Sequence, residues 1–99
     1  MIVIRNVFQL KFGKAKEAKE LIAENQKMVK KYGYPASRFL TDLTGPYYIL
    51  EMELTAQSLA EYEKSSQEMM KEPEFGEWYK KFIPLVESGT RTIYSVVEQ

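Results

Sequence analysis

Hydrophobic and polar positions change period several times along the chain, and each change marks an element. Over residues 2–12 the period is two. Ile2, Ile4, Phe8, Leu10 and Phe12 share one parity, with Asn6 among them, while Val3, Arg5, Val7, Gln9 and Lys11 take the other. That alternation predicts a half-buried strand ended by Gly13. Over 14–32 the period becomes helical: Ala15, Ala18, Leu21, Ile22, Met28, Val29 and Tyr32 form one face, with Lys and Glu mostly opposite. Gly33 is a natural C-terminal stop. Residues 36–43 and 46–54 predict two strands around the Thr44-Gly45-Pro46 turn. A second helix is expected from near Thr55 to about Lys71, with the capping-box spacing Ser58-Leu-Ala-Glu61. Pro73 restarts the chain in a short helix that carries Phe75, Trp78, Tyr79 and Phe82 as a stripe, and Pro84 and Gly89 close it. The last strand is expected over 90–98.

The order is β-α-β-β-α-β. It predicts one α+β domain over residues 1–99, a ferredoxin-like antiparallel sheet with its helices on one face and the first and third strands central. The first strand's richer parity should meet the helices, together with Tyr48, Leu50, Met52 and Leu54. The other face would then carry Val3, Arg5, Val7, Tyr47, Ile49, Glu51, Arg91, Ile93, Ser95 and Val97. An open antiparallel face is normally polar throughout, and this one is about half apolar. Contiguous apolar surface of that kind marks an interface, so a homodimer through the open face is expected. Pairing among Arg5, Glu51 and Arg91 across adjacent strands would let the face be buried. The alternative is a solvated face with ordinary cross-strand pairs.

Composition narrows the chemistry. The 99 residues include no cysteine and no histidine, which removes disulfides, thiolate nucleophiles, Cys-ligated metals and every imidazole base or ligand. Fourteen basic and fourteen acidic residues give zero formal charge, which argues against nucleic-acid and anionic-membrane partners. No apolar run approaches the roughly 18 residues of a membrane helix, and the apolar start is broken by Arg5 and Asn6. A cytoplasmic protein is the expectation.

Two polar residues stand where the pattern demands apolar ones. Asn6 lies between Ile4 and Phe8, and Asn25 interrupts the buried stripe of the first helix. A buried amide without partners costs about 1–3 kcal/mol, so each needs an explanation. One explanation is a cavity between sheet and helices, walled by Tyr48, Met52, Tyr62, Trp78 and Tyr94, which is the usual form of a small-molecule site. The plainer alternative is ordinary packing, with Asn6 bonded to backbone at an irregularity, Asn25 at a wet rim, and the aromatic stripe as core. No side chain stands out as a base. The lysines of the first helix are interspersed with Glu17, Glu20 and Glu24, and read as a solvated face. The acidic residues between Glu61 and Glu77 lack the pattern of a calcium loop, and no metal is expected.

Ile4-Arg-Asn-Val-Phe-Gln-Leu-Lys-Phe-Gly-Lys14 resembles the opening strand and Gly-Lys turn of NIPSNAP-like and antibiotic-biosynthesis-monooxygenase-like (ABM) domains of the dimeric α+β barrel superfamily. Leu59-Ala-Glu-Tyr62 and Phe75-Gly-Glu-Trp-Tyr79 are similar to their second-helix region, and Gly89-Thr-Arg-Thr-Ile-Tyr94 to their last strand. The resemblance implies two ferredoxin-like sheets closing into a shared barrel. It also implies a small-molecule-binding protein with a small aromatic ligand, and as its reaction a cofactor-independent monooxygenation of an aromatic or quinol-like substrate. Asn6, Asn25 and Tyr94 would then orient a phenol or stabilise its oxyanion, and Trp78 would stack on its ring. Haem-degrading relatives use an Asn on the first strand, a Trp from the helical layer and a His on the iron. Asn6 and Trp78 match the first two in position, but the missing His argues against haem, and no cofactor is expected.

Two rival classes remain. RNA-recognition domains share the strand order, and Ile2-Val-Ile-Arg-Asn-Val7 resembles their first-strand motif. That mode needs aromatics on the open face, where Val3 stands at the key position and Glu51 and Glu53 add negative charge. The other class is a dimeric binding or structural module with no reaction.

Overall fold

The computed structural model describes residues 1–97. Its elements run β1 (Ile2–Leu10), α1 (Ala15–Tyr32), β2 (Arg38–Thr41), β3 (Ile49–Ala56), α2 (Leu59–Met70), α3 (Pro73–Phe82), a 3₁₀ turn (Ile83–Leu85) and β4 (Val86–Ser95). The four strands form one antiparallel sheet in the order β2-β3-β1-β4, with β1 and β3 at the centre. This is the ferredoxin-like α+β arrangement that the element order predicts.

Local chemistry sets the boundaries. Gly33, at φ 73°, ends α1 in a left-handed turn in which Gly33 N–H bonds the Lys30 carbonyl and Tyr34 N–H the Val29 carbonyl. The Ser58 hydroxyl accepts the Glu61 N–H at 3.2 Å and the Glu61 carboxylate accepts the Gln57 N–H at 3.3 Å, which fixes the start of α2. That cap lets β3 run on through Ala56, so the helix opens at Leu59 and not near Thr55.

β3 also starts later than the alternation suggests. Tyr48 takes φ 60°, and the Asp42 carboxylate accepts the Ile49 N–H at 2.8 Å, so Tyr47 and Tyr48 belong to the turn. A left-handed tyrosine breaks the two-residue period, and no hydrophobic pattern announces it.

β4 starts earlier than expected, at Val86, and contains Gly89. Glycine is required there by contact. A Cβ at position 89 would lie 2.9 Å from Phe8 Cδ1 and 3.3 Å from Cε1, because the Phe8 ring crosses its cross-strand partner. The ring then meets Phe82 edge-on at 5.3 Å. Glu98, placed in the last strand by the sequence pattern, lies outside the described residues.

The core lies between the sheet and α1 and α3. Ile4, Leu10 and Leu50 are fully buried, and Ala18, Leu21, Ile22, Met28, Val29, Trp78, Phe82 and Leu85 surround them. The Trp78 indole N–H donates to the Leu21 carbonyl at 2.6 Å, while its ring stacks on Phe82 at 5.0 Å. The indole bond ties α3 to α1, and the stacking orders the apolar face of α3 itself. By contrast, α2 has no buried residue. It lies across a gap in the helical layer, and that gap is the site described next. No helix among the described residues is long and apolar enough to cross a membrane.

Candidate functional site

Cross-strand partners in an antiparallel sheet project from the same face, so the register decides which side chains share a surface. Asn6 pairs with Met52 on β3 and with Arg91 on β4. All three point toward the helices, where they meet Asn25 of α1, Tyr62, Met69 and Met70 of α2, and Trp78 and Phe82 of α3. Together they line a mostly apolar cavity of about 280 Å³. Tyr34, Phe39, Phe75 and Tyr79 complete its aromatic wall.

Polar groups are the smaller part of the lining: Asn6, Asn25 and Arg91, the hydroxyls of Ser37, Thr55, Ser65 and Ser66, and one carboxylate and three phenols. Asn25 is 5% exposed, and its amide makes no hydrogen bond to another described side chain or backbone group. Asn6 is half-buried and accepts the Arg91 Nε–H at 2.7 Å through Oδ1. A guanidinium can only donate, so the Asn6 oxygen must face Arg91, and its NH₂ group is free for another acceptor. The remaining carboxylate and phenols sit at the periphery. Glu61 is held by the cap of α2. The Tyr34 hydroxyl is a long 3.5 Å from the Glu72 carboxylate. Partial burial and the nearby Glu72 charge both push the Tyr34 phenol upward, so it stays protonated at neutral pH.

Of the residues expected to form a pocket, Asn6, Asn25, Met52, Tyr62 and Trp78 are brought together here. Tyr48 and Tyr94 are not. Tyr48 turns away with the β2–β3 loop and packs edge-on against Phe12 at 4.8 Å. Tyr94 is the cross-strand partner of Val3 and lies on the opposite face, beneath the Arg5 guanidinium at 5.3 Å. The same register corrects the open-face assignment. Arg91, Ile93 and Ser95 pair with Asn6, Ile4 and Ile2, and so face the helical side. Tyr47 lies in the turn, 77% exposed, and Val97 lies beyond the end of β4. Val3, Arg5, Val7, Ile49 and Glu51 do share the open face, and Glu53, Arg38, Leu40, Thr90, Thr92 and Tyr94 join them.

That face has an electrostatic centre. The Arg5 guanidinium lies 2.8 Å from Glu51 and 3.1 Å from Glu53, and Arg38 reaches Glu53 at 3.6 Å. The Glu53 hydrogen bond, with the charge of Glu51 behind it, raises the Arg5 pKa further above its ordinary value. Arg91 takes no part in this cluster.

Arg91 is also the residue that sequence reasoning missed as a pocket group. Its signal was available only through the register, as the position opposite Asn6.

Comparison with known proteins extends the fold and not the chemistry. No family model matches the chain, and no curated protein matches its sequence. Among solved structures, it is similar to a NIPSNAP family protein from Agrobacterium tumefaciens, with TM-score 0.85 and 16% identity over 98% of this chain and 93% of that one. An uncharacterised NIPSNAP domain protein from Burkholderia xenovorans gives TM-score 0.84 and 12% identity, covering 98% and 95%. A proposed antibiotic biosynthesis monooxygenase from Nitrosomonas europaea gives TM-score 0.74 and 14% identity, covering 99% and 100%. The chain therefore has the fold of the NIPSNAP and ABM proteins over essentially its whole length.

Proposed function

We propose that this protein binds a small, largely apolar molecule in the cavity beneath α2, and that it works as a homodimer joined through the open face of its sheet. One observation carries the first part. Asn25 is 5% exposed, its amide makes no hydrogen bond among the described residues, and its polar atoms open onto a mostly apolar cavity. An unpaired buried amide costs stability, and a ligand that completes its hydrogen bonding gives it a purpose. The loose fit of α2, with no buried residue, provides a route in and out.

The reaction this arrangement supports best is cofactor-independent monooxygenation of an electron-rich phenol or quinol. In such a step the deprotonated substrate gives its electrons to O₂. One oxygen atom enters at a ring C–H to leave a hydroxyl, the other departs as water, and the quinol supplies the two further electrons and protons by passing to the quinone. The free NH₂ of Asn6 and the Asn25 amide are the groups that would steady the substrate oxyanion. Support comes from the cavity's polar groups and from the likeness of fold to the proposed monooxygenase. Oxygen uptake with a quinol substrate, reduced by Asn6→Ala, tests that step against a binding module without a reaction.

The dimer reading rests on the open face. Val3, Val7, Leu40 and Ile49 flank the cluster of Arg5, Glu51 and Glu53, whose ion pairing within one sheet offsets part of the cost of covering those charges. Native mass spectrometry of the untagged protein tests both parts at once. A dimer with a reproducible extra mass is the expected result. A bare monomer at micromolar concentration would contradict the account of the open face and give no support to the pocket.

A further inference from the structure

We propose that the cavity selects a monocarboxylate with an apolar body, and that Arg91 receives the carboxylate. The proposal deepens the small-molecule reading above and rests on it. The chain has three arginines. Arg5 and Arg38 lie on the open face and each is ion-paired with a glutamate. Arg91 lies on the other face, lines the cavity, and has no carboxylate partner among the described residues. Its one side-chain hydrogen bond among the described residues is to a neutral amide, and the exposed guanidinium stands at the mouth of the cavity with water as its other partner.

The geometry of that contact matters. With Nε–H committed to Asn6 Oδ1 at 2.7 Å, one edge of the guanidinium is anchored to the central strand and the two Nη groups stay free. A planar pair of N–H donors matches a carboxylate in bidentate fashion. Among the described residues no lysine lines the cavity, and its one carboxylate, Glu61, accepts the Gln57 N–H in the cap of α2. One unmatched positive charge suits a monoanion better than a phosphate dianion. The second polar point, Asn25, is nine-tenths buried and its amide makes no hydrogen bond among the described residues, so it marks a place for a carbonyl or hydroxyl farther along the ligand. Met52, Trp78 and Phe82 supply the apolar contact between the two.

The test compares naphthalene-2-carboxylate with neutral naphthalene-2-methanol by isothermal titration calorimetry on the full chain. The acid should bind roughly tenfold or more tightly than the alcohol, the range expected for a charge-assisted contact. Arg91→Gln, which keeps a donor to Asn6 but removes the charge, should abolish that preference, bringing the acid down to the affinity of the alcohol for the same variant. Circular dichroism checks that the variant is folded. Added sodium chloride, which needs no variant, should weaken the acid and not the alcohol. Equal binding of both probes to the wild type, or a preference that survives Arg91→Gln, would overturn the carboxylate assignment and leave the cavity reading intact. Failure of both probes to bind would overturn the cavity reading itself, and this proposal with it.

Discussion

Replacing Asn25 with leucine should make the ligand-free protein more stable. Asn25 is 5% exposed, sits among Leu21, Ile22, Met28 and Val29 on α1, and its amide makes no hydrogen bond among the described residues. An unsatisfied buried polar group costs about 1–3 kcal/mol, and the sliver of access that the cavity gives this one places it at the lower end. Leucine removes that cost, has room to extend into the roughly 280 Å³ of open space, and is a somewhat better helix former than asparagine. The sum is a gain of about 1–2 kcal/mol. For a domain of this size each kcal/mol moves the melting temperature by roughly 4–8 °C. Urea titrations followed by circular dichroism and by the fluorescence of Trp78 give the free energy directly, with an unchanged slope as the check on two-state behaviour. The same variant should weaken binding of naphthalene-2-carboxylate, because the leucine side chain takes up space in the cavity. A loss of stability of 1 kcal/mol or more would refute the reasoning, because it would mean that the amide serves the fold.

Three further outcomes follow from the packing and the charges. Gly89→Ala should destabilise by about 0.5–2 kcal/mol in urea, the overpacking against Phe8 outweighing alanine's better strand propensity, and Phe8→Leu in the same chain should remove most of the penalty. Trp78→Phe should cost about 2–3 kcal/mol through the lost bond to the Leu21 carbonyl and the unfilled ring volume; a neutral result would contradict the account of how α3 is held. Glu74, whose bond to Lys31 at 2.7 Å lowers its pKa, contributes stability that is present above the unfolded carboxylate pKa and lost as pH falls through the lower folded value. The difference between wild type and Glu74→Gln should therefore persist at neutral pH and close in the acid range; a gap independent of acid pH would contradict it.

The sheet and its helices are legible in the sequence because their burial is one-sided. The parity of β1 and the stripe of α1 each separate apolar from polar positions, and Asn6 and Asn25 stand out against that background. β4 offers no such contrast. Thr90, Thr92 and Tyr94 on one parity and Arg91, Ile93 and Ser95 on the other are equally mixed, so periodicity could not assign its faces. The register did so instead, through Phe8 lying over Gly89. That long-range fit is invisible to a local pattern, and it exchanged Tyr94 for Arg91 in the cavity. Tyr48 was misplaced for a different reason. Its left-handed backbone is a property of the turn, held by the Asp42 bond to Ile49.

The most direct test of the ligand cavity is an ¹⁵N NMR titration of the protein with naphthalene-2-carboxylate. The side-chain amide signals of Asn6 and Asn25 and the indole N–H of Trp78 should shift together and saturate, while the backbone amides of Thr92 and Tyr94 at the edge of the sheet move little. Shifts confined to open-face residues, or none at saturating probe, would contradict the claim that the space beneath α2 is a binding site.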